Sequence, residues 1–237
     1  MKKLQKNLNR FVLHKLITYG LHIGSLKAVW NPQFRPFLNG FRNNFCIINP
    51  NLTMLYMRPA LKILQKTHFA NKKILFIGSP VGLEKEFSRL CKQNKHYFIE
   101  NPTYGFFTNY KNKVYPDLSN LSNIEDRPSL IFLFDPSLSS MVFEELRYFD
   151  VPIVSFVSTE DDYSQIDYPI PANIKSQKGG LFIFNIFHHL FVMKNLKLLN
   201  KEKKVKKENQ SGLTKKVFSK HNLINLSIES TNSSRTR

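Results

Sequence analysis

Residues 73–78 read KILFIG, and SPVG follows directly at 79–82. Four consecutive apolar side chains between a lysine and a glycine are typical of a strand buried on both faces, as in parallel sheets. The glycine, serine and proline that come next predict a turn at the carboxyl end of this strand. The stretch therefore predicts a central strand of an α/β domain.

Apolar segments of similar length lie on both sides of this strand, and segments with helical periodicity separate them. Further strands are predicted at 46–49, 96–99, 130–134 and 152–157, and 152–157 is predicted to be the last strand of the chain. Helices are predicted at 3–18, 53–69, around 83–91, around 138–149 and at 176–193. Pro59 conflicts with an unbroken second helix, so a kink or a later start is expected there. The alternation predicts a parallel sheet of about five strands that is covered on both faces.

The segment before the central strand has a different composition. Residues 20–49, GLHIGSLKAVWNPQFRPFLNGFRNNFCIIN, contain the only tryptophan and no acidic residue. Most of the segment follows neither the period of a strand nor that of a helix, so we predict an ordered loop that leads into a short strand. Cations among aromatic rings suit a phosphate-rich, irregular surface such as folded RNA. A loop whose aromatic side chains pack in the core is the alternative.

The charge is unevenly distributed along the chain. The formal net charge is +18 over 237 residues, and residues 1–83 contain thirteen Lys and Arg but no Asp or Glu. Residues 84–170 carry a net charge of −6, and residues 194–237 carry +9. Two basic ends around an acidic centre indicate one side that faces a polyanion, either a nucleic acid or a membrane surface. The longest apolar run, 181–193, is interrupted by polar residues and too short to span a bilayer.

Three parts are expected: an amphipathic helix at 1–19, an α/β domain at 20–193, and a basic tail at 194–237 that is helical at first and then disordered. The acid-free start is compatible with a mitochondrial transit peptide or with a structural helix. Cys46 and Cys91 have no metal-ligand spacing and are expected to be buried, reduced thiols. Abundant Lys, Asn, Phe and Ile are typical of an AT-rich, organellar coding sequence.

No set of residues indicates catalysis. The turn GSPVG at 78–82 is neither of the common phosphate-binding glycine motifs. Asp135 followed by Pro136 is typical of a helix N-cap. Residues 160–162, Glu-Asp-Asp, are a weak metal signal and are expected to form a solvated loop. Neighbouring His188 and His189 point in different directions on a helix and do not share a metal. We therefore expect no enzyme activity, metal or cofactor, with a nucleotide- or cofactor-binding α/β enzyme as the alternative.

Several short motifs, in order, make the chain similar to the ribosomal protein S2 family of the small ribosomal subunit. They are GLHIG at 20–24, WNP at 30–32, PF at 36–37, GFRN at 40–43, IIN at 47–49, KILFIG at 73–78, GFFTN at 105–109, PSL at 128–130, VPIV at 151–154 and DYPIPAN at 167–173. The chain departs from the family pattern at 104–107, at 158–160 and at 174–175. Only residues 110–129 fill the gap in which bacterial members carry a helical hairpin, so the resemblance is to a mitochondrial form without that insertion.

The resemblance implies a three-layer, flavodoxin-like (Rossmann-like) α/β fold that contacts small-subunit rRNA and other small-subunit ribosomal proteins and catalyses nothing. It implies a mitochondrial location, and the abundance of Lys, Asn, Phe and Ile suggests an organelle-encoded gene. On this basis Lys27, Arg35 and Arg42 are expected to bind phosphates, and His22, Asn31 and Asn43 to bond to ribose or phosphate oxygens. Trp30 is expected to brace the segment or to stack on a base. The remaining expected rRNA contacts are Asn109 and the tail residues Lys201, Lys203, Lys204, Lys206 and Lys207.

Overall fold

The computed structural model describes residues 2–102, 127–139 and 151–193, together with 143 and 145. Apart from its last two residues, this part belongs to the compact unit Met1–Phe191. The helices are α1 (Lys2–Thr18), α2 (Pro50–Phe69), α3 (Glu84–Gln93) and α4 (177–193). The strands are β1 (Ile23–Leu26), β2 (Leu38–Arg42), β3 (Phe45–Ile48), β4 (Ile74–Ile77), β5 (Tyr97–Ile99), β6 (Leu130–Leu133), β7 (Ile153–Val157) and β8 (Tyr168–Pro171). Among the described residues, 3₁₀ helices occupy Pro32–Phe37 and Pro136–Ser139.

The central element is a five-stranded sheet in the order β5-β4-β6-β7-β8. Every neighbouring pair in it is parallel. The side chains of β4 and β6 are buried on both faces. With helices flanking the sheet, this is the three-layer, flavodoxin-like α/β fold, and the prediction from KILFIG is confirmed.

Two apolar clusters cover the two faces of the sheet. One joins alternate strand residues to the helices and includes Leu16, Leu64, Ile74, Phe76, Phe87, Phe132, Phe156, Ile183 and Phe187. The other joins the remaining strand residues to the segment before α2 and includes Phe34, Phe37, Ile48, Leu75, Ile77, Ile131, Leu133 and Val157. The segment rich in cations and aromatic residues therefore buries two of its phenylalanines against the sheet, so the core alternative is correct for those two rings.

The membership of the sheet differs from the prediction in one strand. The predicted strand at 46–49 exists as β3, but it lies in a separate antiparallel sheet. The fifth parallel strand is β8, so the prediction that 152–157 is the last strand is wrong. The sequence of β8 is Tyr-Pro-Ile-Pro. Because of its two prolines, this segment was not predicted as a strand from the sequence. The prolines are tolerated there because β8 is an edge strand that needs ladder bonds on one side only.

The prediction that residues 20–49 form mostly loop is also wrong. The segment contains a three-stranded antiparallel sheet in the order β1-β3-β2, which we call the front sheet. Its strands have four or five residues, and the register shifts once in each pairing. Short strands with irregular register break the two-residue alternation, which explains why the sequence pattern did not reveal them.

The structure decides two predictions about helices, the start of α2 and the nature of α1. α2 begins at Pro50, where the Asn49 side chain accepts a hydrogen bond from the backbone N–H of Asn51, and it continues through Pro59. The expected later start is therefore wrong. α1 is a structural helix of the domain: Leu16 is fully buried, and the Tyr19 ring stacks on Phe182 with centroids 4.9 Å apart.

Three predicted features lie wholly or mostly outside the described residues. They are the helix expected around 138–149, Asn109 and the basic tail. Cys46 and Cys91 are buried free thiols, as predicted. None of the helices in the described ranges is long and apolar enough to cross a bilayer.

Candidate nucleic-acid interface

The front sheet ends in a tight hairpin that carries Arg42. β2 ends at Arg42, β3 begins at Phe45, and the two residues are paired across the strands. The two loop residues, Asn43 and Asn44, have φ values of 47° and 63°. Positive φ at both central residues is the requirement of the two-residue type I′ turn, which asparagine tolerates well. The structure thus gives Asn43 a conformational function, and its predicted contact with RNA stays a prediction.

Lys27 and Trp30 are held beside this hairpin. The backbone N–H of Lys27 donates to the Asn44 carbonyl oxygen at 2.7 Å. The Lys27 ammonium lies 5.2 Å from the centroid of the Phe41 ring, an attractive cation–π distance. Trp30 meets the same ring edge-on, with centroids 5.5 Å apart. This geometry favours bracing for Trp30 and leaves the ammonium of Lys27 at the surface, since Lys27 is exposed.

Arg35 lies on the exposed side of the 3₁₀ helix Pro32–Phe37. Phe34 and Phe37 are buried on the opposite side, in the core. The Tyr163 hydroxyl donates to the Gln33 carbonyl oxygen at 2.9 Å and ties this helix to the loop after β7. Arg35 and Arg42 are therefore exposed guanidinium groups on rigidly supported backbone, as phosphate binding requires.

Asn31 has a structural function that the sequence did not show. Its side-chain oxygen accepts from the N–H of Gln33 at 3.0 Å and caps the 3₁₀ helix. Its side-chain amide donates to the Asp161 carbonyl oxygen at 3.3 Å, and its backbone N–H donates to the carbonyl oxygen of Thr159 at 2.8 Å. Because both the oxygen and the nitrogen of the side-chain amide are engaged in these bonds, Asn31 holds the segment 20–49 in position.

His22 is half-buried, and burial lowers the pKa of its imidazole. Its Nδ1 atom is buried without a hydrogen-bond partner among the described residues. A ring that stays neutral at physiological pH does not neutralise a phosphate. Any contact of His22 with RNA would be a neutral hydrogen bond.

Sequence reasoning missed the residues that fasten the front sheet to the parallel sheet. The N–H of Ser25 donates to Oγ1 of Thr159 at 2.8 Å. The Asn173 side-chain amide donates to the Ile23 carbonyl oxygen at 2.7 Å, and the Asn173 backbone N–H donates to the carbonyl oxygen of Leu21 at 2.9 Å. Both anchors follow the carboxyl ends of strands, β7 and β8. The motif DYPIPAN contained Asn173, but no local pattern revealed its partner.

The carboxyl edge of the parallel sheet also contains a cavity of about 140 Å³, at the place where α/β enzymes bind ligands. Its lining residues include Gly78, Asp135 and Asp161. The strand order matches that of flavodoxin-like folds, so this is the site at which the alternative enzyme function must be tested.

The groups around that cavity do not suit a nucleotide phosphate. The Glu84 carboxylate accepts from the N–H of Gly82 at 3.0 Å and occupies the start of α3, where a phosphate would bind. Asp135 accepts from the N–H of Ser137 at 3.0 Å, which confirms the predicted cap. Both carboxylates repel an anion, and Lys175, a cation among the lining residues, is paired with Glu160. The cavity therefore gives the nucleotide-binding alternative no support.

The acidic residues at 160–162 each have a partner of their own. Glu160 forms an ion pair with Lys175. Asp161 accepts from the N–H of Ser158 at 2.7 Å, and Asp162 accepts from the N–H of Ser164 at 2.9 Å. Burial raises the pKa of Asp161 to about 6. Within the described ranges no group of three or more metal-ligating side chains comes together.

The comparisons with known proteins agree with this architecture. The sequence profile of the family described as "Ribosomal protein S2" matches residues 16–115 and 106–192. The "Small ribosomal subunit protein uS2" of Sinorhizobium medicae is 24% identical over 199 residues, which cover 69% of this chain and 78% of the relative. The proteins of the same name from Bartonella henselae and Ehrlichia chaffeensis are 23% and 24% identical and cover 75% and 70% of this chain and 83% and 70% of their own lengths. The profile spans well over half of the sequence, and the chain belongs to the ribosomal protein S2 family.

Proposed function

We propose that this chain is a structural constituent of the small ribosomal subunit in mitochondria, where it binds rRNA and neighbouring ribosomal proteins. The observation that carries the proposal is the family match over residues 16–192, most of the described domain. Relatives named as small-subunit proteins support a scaffold function in translation and no enzymatic one.

The front sheet and the 3₁₀ helix that follows β1 are the proposed rRNA-binding surface. Lys27, Arg35 and Arg42 are exposed there, and residues 1–83 contain no acidic side chain. Cations that neutralise phosphates release condensed counterions, and this release drives binding to any nucleic acid. Rigid support of these cations by the parallel sheet fixes their spacing, which fits a folded RNA better than a fluid membrane surface.

The basic residues of the tail are proposed to add phosphate contacts independent of base sequence. The cluster consists of Lys201, Lys203, Lys204, Lys206 and Lys207. Asn109 is proposed to contact rRNA through its amide. The boundaries 1–19, 20–193 and 194–237 remain our proposal for the organisation of the chain.

The mitochondrial location has support of a different kind. The matching relatives are bacterial, so it depends on the sequence itself: a composition typical of an AT-rich organellar gene, and a gap at 110–129 too short for the bacterial hairpin. Gradient fractionation of a mitochondrial lysate tests it together with the function. The chain should sediment with small subunits and move to the top of the gradient after ribonuclease treatment. Sedimentation with bacterial-type or cytosolic particles would contradict the mitochondrial location but not the ribosomal function.

A further inference from the structure

Phe45 is an exposed aromatic ring with nothing stacked on it. It is 42% exposed at the start of β3. Phe41, 45% exposed on the neighbouring strand, has Lys27 over its ring and Trp30 at its edge. Within the described ranges no other ring stacks on Phe45 and no cation lies over its face. Together with Leu26, which is 47% exposed and pairs with Phe45, the ring forms a contiguous exposed apolar patch that a binding partner can cover.

An arginine occupies the position directly across the hairpin from this ring. Arg42 pairs directly with Phe45 across the hairpin, and Leu26 pairs with Phe45 on its other side. Directly opposed residues place their Cβ atoms about 4.5–5.5 Å apart on one face of an antiparallel sheet. On the same face Gly40 pairs with Ile47, and the space where a Gly40 side chain would extend is open. A flat ring, an adjacent cation and free space thus occur together.

We propose that Phe45 and Arg42 form a site for one unpaired nucleotide, whose base stacks on the Phe45 ring while Arg42 binds its phosphate. This inference rests on the proposed function and assigns a specific task to part of that surface. Exposed aromatic side chains on an antiparallel sheet are a common means of holding single-stranded RNA.

Charge favours RNA over a protein as the occupant of this face. Interfaces between proteins are depleted of charged residues at their apolar centre. Here Arg42 is paired directly with the exposed ring of Phe45 at the hairpin end of the face, and residues 1–83 contain no acidic residue to neutralise it. A phosphate supplies the missing negative charge, and a base supplies the apolar surface that covers the ring.

Photo-crosslinking in assembled small subunits identifies the occupant directly. A benzophenone amino acid at position 45 should crosslink to one unpaired rRNA nucleotide, mapped by reverse-transcription stops. Phe11 is a matched control position, because it is 60% exposed and also has a lysine, Lys15, 5.5 Å from its ring centroid. Crosslinks from position 45 to protein only, or no crosslink at all, would overturn the inference.

Substitutions separate stacking from simple apolar contact. Phe45→Leu keeps an apolar side chain but removes the ring, so affinity for oligouridine should fall about tenfold, while Phe45→Tyr should bind like the original chain. An abasic oligomer of the same length should not distinguish the three proteins. Equal affinity of the original chain for both oligomers, or no detectable binding to either, overturns the inference.

The same experiments distinguish this inference from the proposed function. If Phe45→Leu binds RNA like the original chain and still sediments with small subunits, only the nucleotide site is wrong. If the original chain does not sediment with small subunits, the proposed function itself is wrong. Circular dichroism of each variant verifies that the exposed substitution leaves the fold intact.

Discussion

Gly24 lies directly against Thr159, so closely that a Cβ atom on Gly24 would come within 2.5 Å of the threonine Cγ2. The contact joins β1 to the loop after β7, and Ser25 adds a hydrogen bond to the same threonine. The front sheet is therefore positioned by backbone contact with the parallel sheet. Glycine is required at position 24 because Thr159 approaches it closely, and not because its backbone angles are unusual.

Gly24→Ala should lower the free energy of unfolding by about 1–3 kcal/mol, because the added methyl group overlaps Thr159 in a packed interior. Urea denaturation measures the change. Thr159→Ser removes the methyl group at 2.5 Å but keeps the hydroxyl oxygen at 2.8 Å, so the double variant should recover part of the loss, about 0.5 kcal/mol relative to additivity. Strictly additive effects would show that the two residues do not interact in this way.

The turn residue Asn43 gives a second prediction. Asn43→Gly should leave stability within about 0.5 kcal/mol, since glycine adopts positive φ readily. Asn43→Val should cost about 1–2 kcal/mol, because a β-branched residue resists the left-handed conformation. If the asparagine amide also contacts RNA, the glycine variant will bind RNA more weakly at unchanged stability. Equal stability of the two variants would argue against the type I′ turn.

The parts of the fold that were predicted correctly are those in which burial on both faces makes every side chain apolar. KILFIG is apolar on both faces because β4 lies in the middle of the parallel sheet, and its pattern could not be mistaken. β8 was missed because an edge strand carries prolines that central strands exclude. The front sheet was missed because register shifts interrupt its alternation.

Only part of the candidate site was predicted from the sequence. Arg35 and Arg42 were chosen for their charge, and both are exposed. Asn31 was chosen for its polarity, yet its bonds go to Gln33 and Asp161. The contact between Gly24 and Thr159 spans more than half of the chain, and no local pattern encodes a contact of that kind.

Asp161 gives a prediction about pH. Burial raises its pKa from 3.8 to about 6, so between these values the folded state binds more protons than the unfolded state. Stability should therefore fall as pH rises from about 4 to about 6. Asp161→Asn should remove this fall and stabilise the protein at pH 7 by about 1–2 kcal/mol, a figure reduced for partial solvent screening.

The exposed neighbour provides the control for this titration. Asp162→Asn is the matched control, since Asp162 is an exposed neighbouring carboxylate that accepts a hydrogen bond from the N–H of Ser164 at the surface. Thermal unfolding of the three proteins from pH 4 to pH 8 is the measurement. A profile of Asp161→Asn that parallels the original chain would contradict a buried, protonated Asp161.

Arg42 tests the electrostatics of the proposed surface. Arg42→Ala should reduce the slope of log affinity against log salt concentration by about 1, the value for one phosphate contact. Lys85→Ala changes an equally exposed cation on α3, away from the front sheet, and should leave the slope unchanged. Equal slopes for the Arg42 variant and the original chain would exclude a phosphate contact at Arg42.

The most direct test of the account is a cryo-electron microscopy map of small ribosomal subunits purified with this chain in place. We predict that the front sheet, with Lys27, Arg35 and Arg42, lies against rRNA and that no nucleotide fills the cavity between Gly78 and Asp161. A map in which the front sheet faces solvent or contacts protein alone, or in which the chain is missing from the particle, would contradict the central claim.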